Sequence, residues 1–146
     1  MIGLLQRVSH ARVDISDETV ASIDRGILVL VGIERTDGHA QAHRLLDRML
    51  GYRVFPDTQG RMNLSVRDIG GGMLLVPQFT LAADTKKGMR ASFTPAADPS
   101  ESEPLFDYLV DQAKRAYPSV VAGKFGADMQ VSLTNDGPVT FWLHVD

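Results

Sequence analysis

Hydrophobic residues recur at regular spacings along the chain, and each spacing predicts a type of element. Alternation of apolar and polar residues from Leu5 to Ile15 predicts a strand with one buried face. Thr19 to Ile23 reads as a second strand, and a turn at residues 24–26 leads into the continuous apolar run Ile27 to Val31. We expect these three strands to form an antiparallel meander, with the last strand buried on both faces.

Two longer segments carry apolar residues at helical spacing. The first should begin at Asp37 as its N-cap and run to Leu50, with Gly51 ending it. The second should begin near Ser100 and end before Pro118, with Glu103 completing a capping box. Each helix has one apolar stripe, which predicts that both pack against a sheet.

Four further segments predict strands: Tyr52–Phe55, Met73–Phe79, Met129–Leu133 and Val139–Val145. The resulting order is βββ-α-β-β-α-β-β, and no linker or repeat divides the chain. We therefore predict a single α+β domain spanning residues 1–146. Its core is a mixed, mostly antiparallel, barrel-like sheet packed by two main helices.

Composition narrows the classes of protein that fit. The 146 residues include 44% hydrophobic and 23% charged residues and no cysteine, so a disulfide framework and a thiolate site are excluded. The start of the chain lacks a signal-peptide pattern, and the longest apolar run is far too short to cross a bilayer. We expect a cytoplasmic protein with no membrane partner. A net charge of −3 argues against broad nonspecific binding of nucleic acid.

Several familiar catalytic sites are missing from the sequence. It has no Gly-x-Ser-x-Gly elbow and no phosphate-binding loop, and no carboxylates have metal-ligand spacing. His39 and His43 have the helical spacing of a zinc protease, but Ala40 stands where the general-base Glu would follow the first histidine. They fit exposed helix positions better. We expect any enzymatic activity to need neither metal nor cofactor.

The first segment with chemical potential is Pro77-Gln78-Phe79-Thr80. Pro77 removes a ladder hydrogen bond and belongs at a strand end or edge. If the strand continues, Gln78 and Thr80 point to one face and Phe79 to the other. An amide beside a hydroxyl can orient a water or bind an ester carbonyl, although a strand end with ordinary hydrogen bonds explains the same residues.

The second segment is Asn135-Asp136-Gly137-Pro138. A hairpin turn explains it, because these residues tolerate positive φ. Pro138 is unusual there, since it removes a donor where the next strand should begin pairing. A Gly-Pro bond can be cis at a cost of roughly 0.5–1 kcal/mol. A cis bond would point two successive carbonyls nearly the same way and form a rigid acceptor pair.

With these two segments, the chain resembles the D-aminoacyl-tRNA deacylases from end to end. The shared segments are Gln6–Val8, Leu50–Phe55, Gly60–Leu64, Gln78–Thr85, Gly88–Arg90, Phe125–Val131 and Asn135–Thr140. One position departs from the family pattern: Pro77 stands where the family usually has Ser. The role of that serine hydroxyl is therefore lost, whereas Gln78, Phe79 and Thr80 match.

The resemblance implies a homodimer that hydrolyses the ester joining a D-amino acid, or glycine, to the tRNA 3′ end. Gln78, Phe79 and Thr80 would be the catalytic residues, with Pro77 beside the substrate. Gly137 and Pro138 would form a cis bond that reaches into the partner's pocket and rejects L side chains. Arg7 would orient that loop. Phe125 and Met129 would line the pocket for the terminal adenosine.

Two chemical mechanisms and two other classes of function remain open. In the first mechanism, Thr80 is a nucleophile. In the second, backbone N–H groups around Phe79 and Thr80 stabilise the oxyanion while the tRNA 2′-hydroxyl helps to activate water. A general esterase or D-amino-acid peptidase, and a noncatalytic, replication-associated nucleic-acid-binding module, are the rival functions. Lys86, Lys87 and Arg90 form a local basic group, and contact with the tRNA acceptor stem is a hypothesis from their charge.

Overall fold

The computed structural model describes all 146 residues and has eight strands and three α-helices. None of its helices has the length and apolar character that crossing a membrane requires. In chain order the elements are β1 (Ile2–Ile15), β2 (Glu18–Ile23), β3 (Gly26–Gly32), α1 (His39–Gly51), β4 (Phe55–Pro56), β5 (Met62–Leu64), α2 (Val66–Ile69), β6 (Gly72–Pro77), α3 (Pro99–Ala116), β7 (Val120–Ala122) and β8 (Gln130–His144). A short 3-10 helix, Phe79–Ala82, follows β6.

Strand β1 organises the sheet. Its first half pairs antiparallel with β3, from Ile2 opposite Gly32 to Val8 opposite Gly26, and its second half pairs with β2. The predicted meander is therefore wrong, because β2 and β3 lie end to end along one edge of β1 instead of pairing with each other. The physical reason is the length of β1: its 14 residues extend about 46 Å, enough to pair with two short strands in succession.

The other edge of β1 is occupied by β8 along nearly its whole length. The hairpin predicted at residues 134–138 is wrong, since residues 130–144 form one strand that opposes β1 on both sides of this segment. The segment is an outward bulge, in which Asn135 to Thr140 face only Val8 to Gln6. The turn-forming residues that suggested a hairpin supply this bulge.

Parallel pairing completes the mixed sheet, with β6 between β3 and β7. Helices α1 and α3 cover one face of it, and their apolar stripes join the main core as predicted. The opposite face carries a second cluster that includes Val8, Val13, Leu28, Leu74 and Val76. Strand β3 contributes to both clusters, which confirms the prediction that it is buried on both faces. The two main helices and the mixed sheet agree with the predicted fold class.

Local boundaries differ from several expectations. Gly38, not Asp37, is the N-cap of α1, because the Asp37 carboxylate accepts hydrogen bonds from the Met1 ammonium and from the Glu34 N–H. Helix α3 begins one residue earlier than predicted, at Pro99, and lacks the capping box expected at Ser100. Of the predicted strand Tyr52–Phe55, only Phe55 lies in β4, which continues to Pro56.

Candidate active site

A cavity of about 600 Å³ opens beside the end of β6. This volume lies within the range of small-molecule sites in proteins, about 300–1,000 Å³. Three segments and two single residues form its wall: Val76–Phe79, then Phe93 with Ala96–Pro99, then Phe125–Ala127 with Met129 and Val131, together with Arg35 and Ser102. Most of the wall is apolar, so its few polar groups decide how a ligand would be oriented.

The chain turns sharply where β6 ends. Pro77 is its last residue, and the expectation that the strand continues through Phe79 is wrong. The Gln78 N–H donates to the Val31 carbonyl at 2.8 Å, and the Leu81 N–H donates back to the Gln78 carbonyl at 3.2 Å. Gly32 permits the turn, because a Cβ there would lie 2.9 Å from the Leu81 Cβ and 3.3 Å from the Gln78 oxygen.

This turn leaves two successive backbone donors free. Neither the Phe79 N–H nor the Thr80 N–H donates to any acceptor within the chain. Phe79 and Gln78 line the cavity, so these donors lie at its edge. Two adjacent N–H groups on a fixed turn can together bind one oxygen atom, the arrangement that stabilises an oxyanion in acyl-transfer enzymes.

The turn also brings the side chains of Gln78 and Thr80 together. The Gln78 amide Nε2 donates to Thr80 Oγ1 at 2.5 Å, so the hydroxyl proton of Thr80 remains available for donation. No histidine, lysine or carboxylate is hydrogen-bonded to this hydroxyl. A nucleophilic threonine normally has a base within hydrogen-bond reach, and Thr80 has none.

Aromatic and sulfur-containing side chains form the apolar wall. The rings of Phe79 and Phe93 lie 5.2 Å apart at one rim. On another side, Phe125 packs against Phe106, with ring centroids 6.3 Å apart, and Met129 also lines the cavity. Such a wall suits a planar ring, because aromatic faces stack and a thioether adapts to the ring edge.

The second predicted segment lies elsewhere on the molecule. The Gly137–Pro138 peptide bond is cis, Gly137 has φ +147°, and both residues are exposed. Neither residue lines the cavity. The nearest lining residue on β8 is Val131, and Gly137 is roughly 15–20 Å farther along this extended strand. Within one chain the two predicted halves of the site do not meet.

Arg7 holds the exposed loop against the body of the protein. Its Nε donates to the Asp136 carbonyl at 2.8 Å, and its Nη1 donates to the Val54 carbonyl at 2.7 Å. The side chain is only 13% exposed, and Asp136 Oδ2 lies 3.8 Å from Nε. The planar guanidinium therefore ties β8 to Val54, the residue before β4, through two fixed hydrogen bonds.

Asn135 is a second clamp that sequence reasoning missed. Its Oδ1 accepts a hydrogen bond from the Val139 N–H at 2.7 Å, and its Nδ2 donates to Thr140 Oγ1 at 2.9 Å and to the Val139 carbonyl at 3.3 Å. The side chain thus closes the bulge from one end to the other. Asparagine commonly binds backbone a few residues ahead, a signal that could have found this role.

The two helix histidines have a packing role. His39 stacks on Tyr108 with ring centroids 3.8 Å apart, and His43 Nε2 lies 2.7 Å from the Tyr108 hydroxyl. No group of three or more His, Cys, Asp or Glu side chains is placed to hold a metal ion.

Comparisons with known proteins identify the family whose sequences this chain resembles. The family model described as D-Tyr-tRNA(Tyr) deacylase matches residues 4–144. A D-aminoacyl-tRNA deacylase of Alkalilimnicola ehrlichii is 64% identical over 143 residues, covering 98% of this chain and 95% of the relative. One of Pseudomonas putida KT2440 is 60% identical over 145 residues, covering 99% and 100%.

Two solved structures share the fold. The structure titled c-Myc DNA Unwinding Element Binding Protein superimposes with a TM-score of 0.96 at 36% sequence identity, covering 100% of this chain and 99% of the other. A structure described as a probable eukaryotic D-amino acid tRNA deacylase gives a TM-score of 0.84 at 15% identity, with 97% of each chain covered. The latter likeness concerns the fold alone.

Proposed function

Because this chain belongs to the D-Tyr-tRNA(Tyr) deacylase family, we propose that it hydrolyses the ester bond of D-aminoacyl-tRNA and of mischarged glycyl-tRNA. The products are the free amino acid and tRNA, and the reaction uses neither metal nor cofactor. The observation that carries this proposal is the pair of free backbone donors at Phe79 and Thr80 beside an apolar cavity. An ester oxygen and a nucleoside are the two groups that such a site accommodates.

The terminal adenosine of the tRNA would occupy the cavity. Its base would lie against Phe125 and Met129, where a planar ring gains stacking and dispersion contacts. The aminoacyl ester would then lie near the turn at Gln78, with its carbonyl oxygen facing the Phe79 and Thr80 N–H groups. Pro77 adds rigid apolar surface at this point and supplies no hydroxyl.

The free donors favour an oxyanion-stabilising mechanism over a threonine nucleophile. Negative charge develops on the carbonyl oxygen as water adds to the carbonyl carbon, and fixed N–H donors stabilise that charge until the bond to the ribose oxygen breaks. The Thr80 hydroxyl already accepts the Gln78 amide and has no base beside it. The tRNA 2′-hydroxyl, adjacent to the ester, would help to activate the attacking water.

We place the rejection of L-aminoacyl-tRNA at a shared site between two copies of the chain. Gly137 and Pro138 are exposed, clamped by Arg7 and Asn135, and too far from their own cavity to line it. A second copy can bring its loop to the cavity of the first. A rigid backbone there clashes with any L side chain, whereas glycine has none, so one geometric device accounts for both specificities.

An apolar stripe supports this homodimer. Register places Leu4 beside Leu30 on one side and Trp142 on the other, so the three side chains share one face of the sheet. Trp142 is 55% exposed, and Thr140 of the clamped loop lies on the same face. An exposed tryptophan on an apolar surface is typical of a protein interface. Trp142→Glu should give monomers in analytical ultracentrifugation, and a dimer of unchanged affinity would contradict this interface.

The rival function comes from one structural relative. A protein titled as binding a DNA unwinding element is 36% identical to this chain, so a noncatalytic nucleic-acid-binding module is the second candidate. The net charge of −3 gives this candidate little electrostatic support.

A deacylation assay with D-Tyr-tRNA and L-Tyr-tRNA separates the candidates. We expect cleavage of the D substrate alone, and a D-Tyr-tRNA ending in 2′-deoxyadenosine should react poorly. Cleavage of both isomers at similar rates would indicate a general esterase. No cleavage of either substrate would overturn the proposed activity.

A further inference from the structure

Residues 84–92 form a short hairpin at the rim of the cavity, which we call the basic hairpin. Asp84 and Ser92 close it with two backbone hydrogen bonds of 2.7 and 3.0 Å. The Asp84 carboxylate accepts the Lys86 backbone N–H at 3.0 Å and so fixes the start of the turn.

The cations of the basic hairpin have no protein partner. Lys86, Lys87 and Arg90 are exposed, and none lies within 4.0 Å of a carboxylate oxygen. Met89 between them is fully exposed as well. In a chain of net charge −3, three unpaired cations and an apolar side chain on one projecting turn are concentrated where a polyanion could bind.

The basic hairpin is joined directly to the cavity. Phe93, the residue after its closing pair, lines the cavity and packs on Phe79. Arg35 also lines this cavity, and only its Nε is used, donating to the Ala96 carbonyl at 3.3 Å. Arg35 thus adds a cation to the cavity wall, and Phe93 joins that wall to the basic hairpin.

The beginning of α3, another part of the cavity wall, has the opposite charge. Asp98 lines the cavity, and its carboxylate accepts no hydrogen bond from the chain. Glu101 and Glu103 follow on the first turns of α3 and are exposed. This difference in charge sets a direction, because a phosphate backbone leaving the cavity is repelled on the α3 side and attracted on the hairpin side.

We infer that the RNA strand bearing the aminoacyl ester leaves the cavity over the basic hairpin, with Lys86, Lys87 and Arg90 binding phosphates of the acceptor end. This assignment rests on the proposed function, since it takes the terminal adenosine to be in the cavity. It deepens that function by naming the surface that distinguishes a tRNA from a short ester. Met89 adds an apolar contact to a base or ribose of the same strand.

Salt dependence gives the expected magnitude. Each phosphate neutralised on a single strand contributes about 0.7 to the slope of log affinity against log salt. Loss of three contacts should therefore flatten the slope by about 2. At low salt, the triple replacement of Lys86, Lys87 and Arg90 by Ala should raise the KM for D-Tyr-tRNA on the order of 10-fold or more, with kcat nearly unchanged.

The test compares this triple variant with a charge-matched control. The control replaces Arg67, Lys114 and Arg115 by Ala. Lys114 and Arg115 lie at the end of α3 that is remote from the cavity, about 25 Å from Pro99. Arg67 lies in α2, close to the same end of α3, because the neighbouring Val66 carbonyl accepts a hydrogen bond from the Tyr117 hydroxyl. D-tyrosyl-adenosine serves as a substrate without the RNA strand.

The hairpin variant should lose affinity for D-Tyr-tRNA and keep its kcat/KM for D-tyrosyl-adenosine, whereas the control should keep both. An equal loss in both variants would reduce the effect to net charge and overturn the inference, as would an unchanged KM and salt slope. Glu101→Gln with Glu103→Gln should not raise KM, and a rise matching that of the hairpin variant would contradict the assigned direction.

Direct binding keeps the inference distinct from the proposed function. A 5′-labelled, uncharged acceptor minihelix ending in CCA is titrated by fluorescence anisotropy into the wild-type and variant proteins. Weaker binding by the hairpin variant alone supports the RNA path even if deacylation fails. Equal binding by all variants overturns the path even if wild-type protein cleaves D-Tyr-tRNA.

Discussion

Replacing Asn135 with Ala removes three hydrogen bonds that close the Gly137–Pro138 loop. The half-buried Val139 N–H then lacks its acceptor, which costs about 1–3 kcal/mol when no other acceptor replaces it. The Val139 carbonyl and the Thr140 hydroxyl can form hydrogen bonds with water instead, so losing their bonds to Asn135 adds less to the cost. We expect the clamped loop to become less stable by about 2 kcal/mol, while Arg7 continues to hold Asp136.

This loss of loop stability should lower the selectivity for D-aminoacyl-tRNA, because the proposed function of the loop is to exclude L side chains. Each 1.4 kcal/mol is a factor of about 10, so the ratio of L-Tyr-tRNA to D-Tyr-tRNA cleavage should rise roughly 10- to 30-fold. Single-turnover deacylation of both substrates measures this ratio. The D rate should change much less, since the loop is proposed to exclude L side chains and not to stabilise the oxyanion, and Asn135 bonds only Val139 and Thr140.

Graded variants separate loop positioning from general destabilisation. Thr140→Val removes one of the three bonds, and Asn135→Asp keeps the acceptor for the Val139 N–H, so both should raise the ratio less than Asn135→Ala. Thermal unfolding reports any global loss of stability. If Asn135→Ala lowered the melting temperature but left the L-to-D ratio unchanged, the positioning role would be refuted.

Three other predictions address the mechanism, the core and the N-terminal ion pairs. Thr80→Ala should lower kcat for D-Tyr-tRNA only a few fold, and a loss above about 10³-fold would favour a nucleophilic threonine. Leu109→Ala should lower the free energy of unfolding by about 2–5 kcal/mol in urea titrations, because this side chain is 0% exposed in the main core; a loss below 1 kcal/mol would contradict its place there. Burial by itself raises the pKa of Glu34, but hydrogen bonds from His144 and the Met1 ammonium, with their charges, hold the pKa below its ordinary value of 4.5. The ionised Glu34 carboxylate therefore stabilises the fold above pH 4.5, and this stabilisation is lost as pH falls through the lowered pKa. The difference in melting temperature between wild type and Glu34→Gln should shrink from pH 7 to pH 3. A difference that widened toward acid would contradict this ion pair.

Local periodicity was sufficient for the parts of the fold that local interactions determine. The α1 stripe of Ala42, Leu45, Leu46 and Met49 is buried as its spacing predicts, and the apolar run in β3 is buried on both faces. The pairing of strands was harder to predict from the sequence. Nothing in the residues of β1 shows that it pairs with β2 and β3 in succession, because that outcome depends on backbone hydrogen bonds that every residue can make.

The candidate site shows the same division. The two chemical segments were evident from residue types, but their geometry was not. Pro77 ends β6, and the next residues turn back because Gly32 leaves room, a contact between segments distant in sequence. Likewise, Asn135 closes a bulge that resembles a hairpin in sequence, since the same turn-forming residues suit both structures.

Single-turnover hydrolysis of D-Tyr-tRNA, L-Tyr-tRNA and glycyl-tRNA by the wild-type protein tests the central claim most directly. A backbone wall that excludes every L side chain predicts rapid release of D-tyrosine and glycine, with L-Tyr-tRNA remaining intact over the same period. Cleavage of L-Tyr-tRNA at the rate of its D isomer, or stability of all three esters, would contradict it.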